Sequence, residues 1–437
     1  MQAIAIPTSP PRSNVPIGSF ITAALLLGVT GAAFALSQSQ LLAGGIYAVG
    51  FLLLTWQRPS MALILIMATV PFQIDVSGGA DVKFSLAEIS LALSMPMWLL
   101  GPRRPRSRAK AYALGASLLA YFGISVFASL LHWRGSQTPL SIAQMWLYMV
   151  VAVGVFSDLV RRPEQYVPCL VAYLGVCVVL ALATLFVREG YVWGMHKNGV
   201  GASLATAVII GVELWLTRSI PISKIFVGFA TGISAIGLTL SLSRGAWLAA
   251  FVGVGIVLAM RGEFRVMARA GVALIPVFVF AWMLLPPEKR EAAFDFDKSR
   301  ENINARYQSI EIARGYFRSS PIVGVGVGLR KEFDATNVLW IALAETGILG
   351  AIAFLSIQGS LALMLVRLRR CVSSSDPRYT FAILGGALAF GRLAHGMFDH
   401  YWSRGALMAA WAAVGMLVRV YGETYISPGA RRPQVRP

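Results

Sequence analysis

Long apolar runs separated by short polar breaks govern this chain from end to end. A helix that crosses a bilayer needs about 20 consecutive apolar residues. Runs of roughly that order lie at 17–36, 41–56, 60–73, 86–101, 111–132, 139–160, 166–187, 199–217, 224–240, 245–261, 270–286, 336–366, 378–396 and 404–421. The third is short and reads as partly re-entrant, while the run at 336–366 is long enough to tilt or kink. One polar stretch, 286–335, has room for structure of its own. Within it, residues 299–319 pattern as an amphipathic helix stopped by Pro321 and followed by Gly324-x-Gly326-x-Gly328. The expected fold is an all-α polytopic membrane protein with about 14 transmembrane helices. Residues 1–437 then form a single integral membrane domain, with 286–335 a large external loop containing short helices.

Composition agrees with the pattern. Of 437 residues, 57% are hydrophobic and 13% charged, about half the charged share of an ordinary soluble domain. That excludes a disordered chain and argues against a cytosolic enzyme. A net charge of +18 would suggest nucleic acid in a soluble protein. Here it must first be divided between two membrane faces. With the N-terminus inside, 22 of the 38 Lys and Arg fall on the inner side, and nine of the remainder lie in the 286–335 loop. The alternation holds at every turn and predicts both termini inside. The basic cluster at 103–110 reads as a topology anchor that can also meet anionic lipid. Arg12, an apolar run and Ala33-x-Ala35 look like a secretory signal, but the run is about 20 residues rather than the usual 7–15, so it reads as a first span. Cys169, Cys177 and Cys371 offer neither a disulfide framework nor a CxxC pair.

Charges at or inside a membrane are costly and mark candidate sites. On this topology all four histidines fall at outer ends of spans. Four outer clusters stand out. Met195-His196-Lys197-Asn198 precedes the eighth span and reads as a polar collar or as a cation with hydrogen-bonding neighbours facing a cavity. Ser241-Leu242-Ser243-Arg244-Gly245-Ala246 joins two apolar runs with almost no loop. Its serines can satisfy backbone groups freed at the break, and its guanidinium suits forked binding of phosphate. The long loop carries Arg306, Tyr307, Arg314, Tyr316 and Arg318, with Glu311 a surface partner for Arg314. The fourth cluster is Asp334-Ala335-Thr336-Asn337 with Glu345 beyond it. A carboxyl buried there is a structural hydrogen bond, or a base if it meets a wet cavity. His395-x-x-x-Asp399-His400-Tyr401-Trp402 offers His–Asp pairing but no metal spacing. The glycine triplet lacks the βαβ setting of a nucleotide site. Asp75 and Asp81, flanking Gly78-Gly79, are the early outer carboxylates a metal-dependent design would need, and their spacing is not diagnostic. Outer cations over apolar helices suit an anionic lipid head, above all a diphosphate.

Several motifs, taken in order, resemble the O-antigen ligase and polymerase superfamily of bacterial membrane glycosyltransferases. They are Gly194-x-His196-Lys197-Asn198-Gly199-x-Gly201, then Ser243-Arg244-Gly245-Ala246, then Arg306 ahead of Pro321-x-x-Gly324-x-Gly326. The last is Asn337-x-x-Trp340-x-x-Leu343-x-Glu345-x-Gly347-x-x-Gly350. The resemblance covers roughly 190–360. It implies an enzyme of the bacterial inner membrane with its active site facing the periplasm. The enzyme takes a glycan from undecaprenyl diphosphate to an acceptor sugar hydroxyl, without metal, cofactor or nucleotide sugar. The acceptor is another lipid-linked repeat (a polymerase) or lipid A-core (a ligase), and the histidine missing at Thr336 weighs towards the polymerase. Arg244 and Arg306 match the family's paired arginines, which would hold the diphosphate as it leaves. Glu345 is the third candidate catalytic group. His196, Lys197, Asn198, Ser243, Tyr307, Arg314, Asn337 and His400 are candidate substrate contacts. The family commonly opens the helix after the loop with His-Asn, where this chain has Thr336-Asn337. Glu345, His196 or His400 then assists the acceptor, or no strong base is used. The alternatives from other classes are a transporter or flippase for lipid-linked glycan and a non-catalytic scaffold. No repeat relates the two halves, as many transporters would show.

Overall fold

The computed structural model describes residues 17–73, 75–76, 84–101, 111–160, 162–186, 191–192, 195–263, 296–333, 335–402 and 405–426, with single positions at 265, 276, 279 and 283. Arg12, Asp81, the 103–110 cluster, Asp334 and nearly all of the 270–286 run lie outside the described residues.

The described chain is helical: α1 Ile17–Ser37, α2 Gln40–Gln57, α3 Ser60–Thr69, α4 Leu86–Leu100, α5 Tyr112–Leu131, α6 Gln137–Asp158, α7 Tyr166–Phe186, α8 Lys197–Leu216, α9 Lys224–Leu240, α10 Arg244–Arg261, α11 Phe296–Ser319, α12 Val338–Cys371, α13 Pro377–Gly396 and α14 Ala406–Ile426. Nine of the described helices are long and apolar enough to cross a membrane. Thirteen of the expected runs appear as helices, and α11 is the helix expected within the long loop. The α3 run is a helix of 10 residues, too short to cross on its own. Two antiparallel ribbons, β1 Asp75–Val76 with β2 Phe84–Ser85 and β3 Tyr191–Val192 with β4 Met195–His196, precede α4 and α8.

Local chemistry sets the boundaries. Ser85 and Glu88 form a capping box at the start of α4. Asp376 caps α13, whose first residue is Pro377. Gly262 ends α10 in the left-handed region. A π-helical turn at Leu147–Val151 interrupts α6, and Gln144 and Tyr148 beside it both donate to the buried Glu88.

α13 and α14 occupy the middle, with almost every residue buried. Small residues let them approach: a Cβ on Gly385 would stand 2.5 Å from Leu417 Cβ and 2.7 Å from the Ala413 carbonyl. At the periphery α1 and α2 expose Leu25, Leu42, Leu53 and Trp56, the apolar surface a lipid-facing helix presents. None of the three cysteines forms a disulfide.

α8 and α10 run side by side, and α13 runs against both. At one end of this trio, Arg261 closing α10 pairs with the buried Glu213 of α8 and donates to Thr380 Oγ1 of α13 at 2.8 Å. The other end therefore gathers the start of α8 (Lys197), the start of α10 (Arg244) and the finish of α13 (His395).

Candidate active site

The turn between α9 and α10 is tight because Leu242 takes a positive φ of 53°. Ser241 satisfies the break, since its Oγ donates to the Leu238 carbonyl at 2.7 Å and accepts from the Ser243 amide at 3.3 Å. Arg244 then opens α10 on the exposed side. Ser243 does not share its position. It is buried, and a Cβ on Gly201 of α8 would stand 2.8 Å from its own. Ser243 fills the contact between α8 and α10.

His196 is the N-cap of α8, accepting the Asn198 amide at Nδ1 (3.3 Å). His196 and Lys197 are exposed and Asn198 is half-buried. Gln73, beyond α3, donates to the Gly199 carbonyl at 3.4 Å and ties this end to the N-terminal helices.

Gly245 carries the link to α13. A Cβ there would sit 2.8 Å from His395 Cδ2, so glycine is what lets the start of α10 lie on the imidazole. The buried Arg392, one turn earlier, donates through Nη1 to His395 Nδ1 at 2.5 Å. It also donates through Nε to the Tyr401 carbonyl at 3.1 Å and through Nη2 to the His400 carbonyl. A guanidinium can only donate, so Nδ1 holds a lone pair and Nε2 carries the proton. That nitrogen stands 3.4 Å from Asp399 Oδ2, an ion-pair distance with poor hydrogen-bond alignment. Asp399 Oδ1 accepts the His400 amide at 2.8 Å. Burial raises the Asp399 carboxyl, but His395 and the His400 amide outweigh it and hold the group at about 2.

The long loop meets the same end. Arg306 lies half-buried on the face of α11 that carries Ser309 and Ala313, and is within electrostatic range of His395. Tyr307 is 66% exposed, and Arg314 is spent on a surface pair with Glu311 at 3.3 Å. Both sit off that inward face, so neither joins the cluster.

Thr336 is buried, and its amide donates to Ser309 Oγ at 3.2 Å. Asn337 caps α12, accepting the Leu339 and Trp340 amides at 3.1 and 3.2 Å, and donates to the Met397 carbonyl at 3.1 Å. Both ends of its amide are engaged, so it fastens α12 to the 397–402 turn rather than waiting for ligand.

Glu345 is 3% exposed, and its Oε1 accepts the Gly328 and Leu329 amides at 2.8 and 3.0 Å. Its helix is broken at Gly347 (φ 63°). Residues 321–328 lie in the break: the Val325 and Gly326 amides donate to the Ala344 and Glu345 carbonyls at 2.9 Å, and the Ile348 amide donates to the Pro321 carbonyl at 2.9 Å. A Cβ on Gly347 would meet the Ile322 carbonyl at 2.2 Å, and one on Gly324 the Glu345 carbonyl carbon at 2.4 Å. The glycine triplet and the Glu345-x-Gly347 pair are thus two halves of one backbone lock. The carboxylate expected as a base fixes a loop.

Three arginines went unmarked by sequence reasoning. Arg392 carried a readable signal, a charge inside an apolar run one helical turn from His395. Arg134 donates to the Val325 carbonyl at 3.3 Å and pairs with Glu332. Arg330 donates to the Trp402 carbonyl at 2.9 Å and to Gln144 Oε1 at 2.5 Å. Their partners are far off in sequence, so nothing local announced them.

Residues 229–355 match the family model described as O-antigen ligase. This bears out the resemblance read in the sequence, and Arg244, Arg306, the glycine triplet and the start of α12 lie within the matched segment. The His196 motif lies outside the matched segment. No curated protein matches. Among solved structures the chain is similar, at 20% identity and a TM-score of 0.43, to one from "Structural coordination of polymerization and crosslinking by a peptidoglycan synthase complex", covering 72% of this chain and 98% of that one. The matched segment and the apolar helices mark a multi-pass membrane protein and support a glycan-polymerising or glycan-ligating enzyme.

Proposed function

We propose that the chain is a glycosyltransferase of the bacterial inner membrane, with both termini cytoplasmic. It moves a glycan from undecaprenyl diphosphate to an acceptor sugar hydroxyl at the periplasmic face. The observation that supports this reading is the approach of the Arg244 turn and of α11 to the same imidazole, His395. Gly245 lies on that ring from α10, and Arg306 reaches it electrostatically from α11.

In this reading the two guanidinium groups bind the diphosphate of the donor. The bond from the sugar anomeric carbon to the diphosphate oxygen breaks, and the acceptor oxygen bonds to that carbon. The charge left on the diphosphate is met by preorganised cations, each worth about 10²–10³ in rate by analogy with oxyanion donors. Arg392, His395 and Asp399 are positioning residues beneath them. Of the groups considered for the acceptor proton, His400 is favoured because it lines a cavity beside the cluster, whereas Glu345 is committed to the loop. Thr336 at the position of the family histidine is the feature that weighs towards a polymerase over a ligase.

The test is transfer from a labelled lipid-linked donor by the full chain in nanodiscs. Arg244→Ala and Arg306→Ala should each lower turnover by about 10²–10³ with the protein still folded and inserted. Wild-type rates in both variants would refute the reading. Movement of labelled lipid across the bilayer without transfer would favour a flippase.

A further inference from the structure

A cavity of about 120 Å³ opens beside the cation cluster, lined by Arg330, Val338, Ile341, His400, Tyr401 and Trp402 among its walls. That is several times the roughly 10–15 Å³ a cavity needs to hold one water, room for a ring-sized ligand.

Its aromatic side is held rigid. Trp402 stacks on Tyr121 with ring centroids 6.2 Å apart and planes 3° apart, and meets Tyr401 edge-on at 5.2 Å. Tyr401 in turn meets Phe354 edge-on at 5.6 Å. Such walls, with Val338 and Ile341, suit the C–H face of a sugar.

The polar side argues for a neutral ligand. Arg330 is fixed by two uncharged acceptors, the Trp402 carbonyl and Gln144 Oε1. Gln144 passes the connection to the buried carboxylate of Glu88 through Nε2, at 3.1 Å. Glu345 is also within electrostatic range of Arg330. Two buried carboxyl groups, Glu88 through Gln144 and Glu345 through its field, thus already attend this guanidinium. A further anion gains little here, while the N–H groups left over can donate to hydroxyls.

We propose that this cavity receives one neutral sugar ring of the acceptor glycan and presents its hydroxyl beside His400. The assignment rests on the donor site proposed above.

The test is saturation-transfer NMR on the full chain in nanodiscs with methyl β-glucoside, methyl β-galactoside and methyl N-acetyl-β-glucosaminide. Undecaprenyl diphosphate binding is measured in parallel. Ala335 also lines the cavity, and Val338→Phe and Ala335→Leu each add bulk to its lining. At least one glycoside should bind the wild type. Each filling variant should weaken it by about tenfold or more while leaving undecaprenyl diphosphate binding within about twofold. Inorganic diphosphate should not displace the glycoside. The proposal is overturned if no glycoside binds, if both filled variants bind as well as the wild type, or if diphosphate competes. Cavity-dependent glycoside binding by a chain that does not bind undecaprenyl diphosphate would sink the donor reading and leave the cavity assigned.

Discussion

Gly245 of α10 lies so close to His395 of α13 that a Cβ on the glycine would stand 2.8 Å from the ring. This contact brings the Arg244 turn against the Arg392–His395–Asp399 chain, two stretches distant in sequence. Gly245→Ala must push the imidazole or the start of α10 aside. Transfer should fall by about 10- to 100-fold with little change in thermal midpoint. A variant as active as the wild type would show that the contact does not position the arginines.

Glu345 separates a structural carboxylate from a catalytic one. Glu345→Ala leaves the Gly328 and Leu329 amides unpaired in a buried place, at about 1–3 kcal/mol each. Glu345→Gln keeps an acceptor and should retain much of the activity and stability. Thermal unfolding in detergent beside transfer rates decides the matter. A Gln variant that is fully folded and inert would restore Glu345 as the base.

The fold was legible where apolar runs were long. Thirteen helices and the amphipathic α11 follow the pattern read from the sequence, and even the break in α12 had a cue in the length of its run. The site was legible in part. Arg244 and Arg306 lie towards the same end of the bundle as His395. Ser243 packs between α8 and α10, Tyr307 and Arg314 lie on the outer face of α11, and Asn337 is engaged as a cap. The sequence names a residue but not the face it takes on its helix or the backbone group it serves. Arg330 depends on Gln144 and Trp402, which no local spacing connects to it.

A histidine placed at 336, where the sequence resemblance would put one, tests how the loop is anchored. Thr336 is buried against Ser309 of α11, so Thr336→His overfills a packed contact. It should cost about 1–3 kcal/mol of stability and should not raise turnover. A more active, equally stable variant would mean that position 336 faces the acceptor.

The opposite end of the bundle carries the buried pair of Arg261 and Glu213. Removing either partner alone leaves an uncompensated charge and should destabilise by about 3–5 kcal/mol. Combining Arg261→Met with Glu213→Leu in one chain should recover most of that loss. Denaturation of both singles and the double in one detergent checks the cycle, and additive losses would contradict it.

Asp399 sets an acid limit. Its carboxyl is held at about 2 against an ordinary value of 3.8. A group lowered on folding stabilises fully above its unfolded value and loses that contribution as pH falls through the folded one. The contribution should be level from neutral pH to roughly 5 and fade between about 4 and 2. Asp399→Asn should flatten that part of the stability profile, and an unchanged profile would remove Asp399 from the account.

The most direct measurement is a cryo-EM structure of the full chain in nanodiscs with undecaprenyl diphosphate bound. The account predicts diphosphate density contacted by the guanidinium groups of both Arg244 and Arg306, above the His395 ring. Density seated elsewhere, or the two arginines pointing into separate surroundings with lipid phosphate at neither, would contradict it.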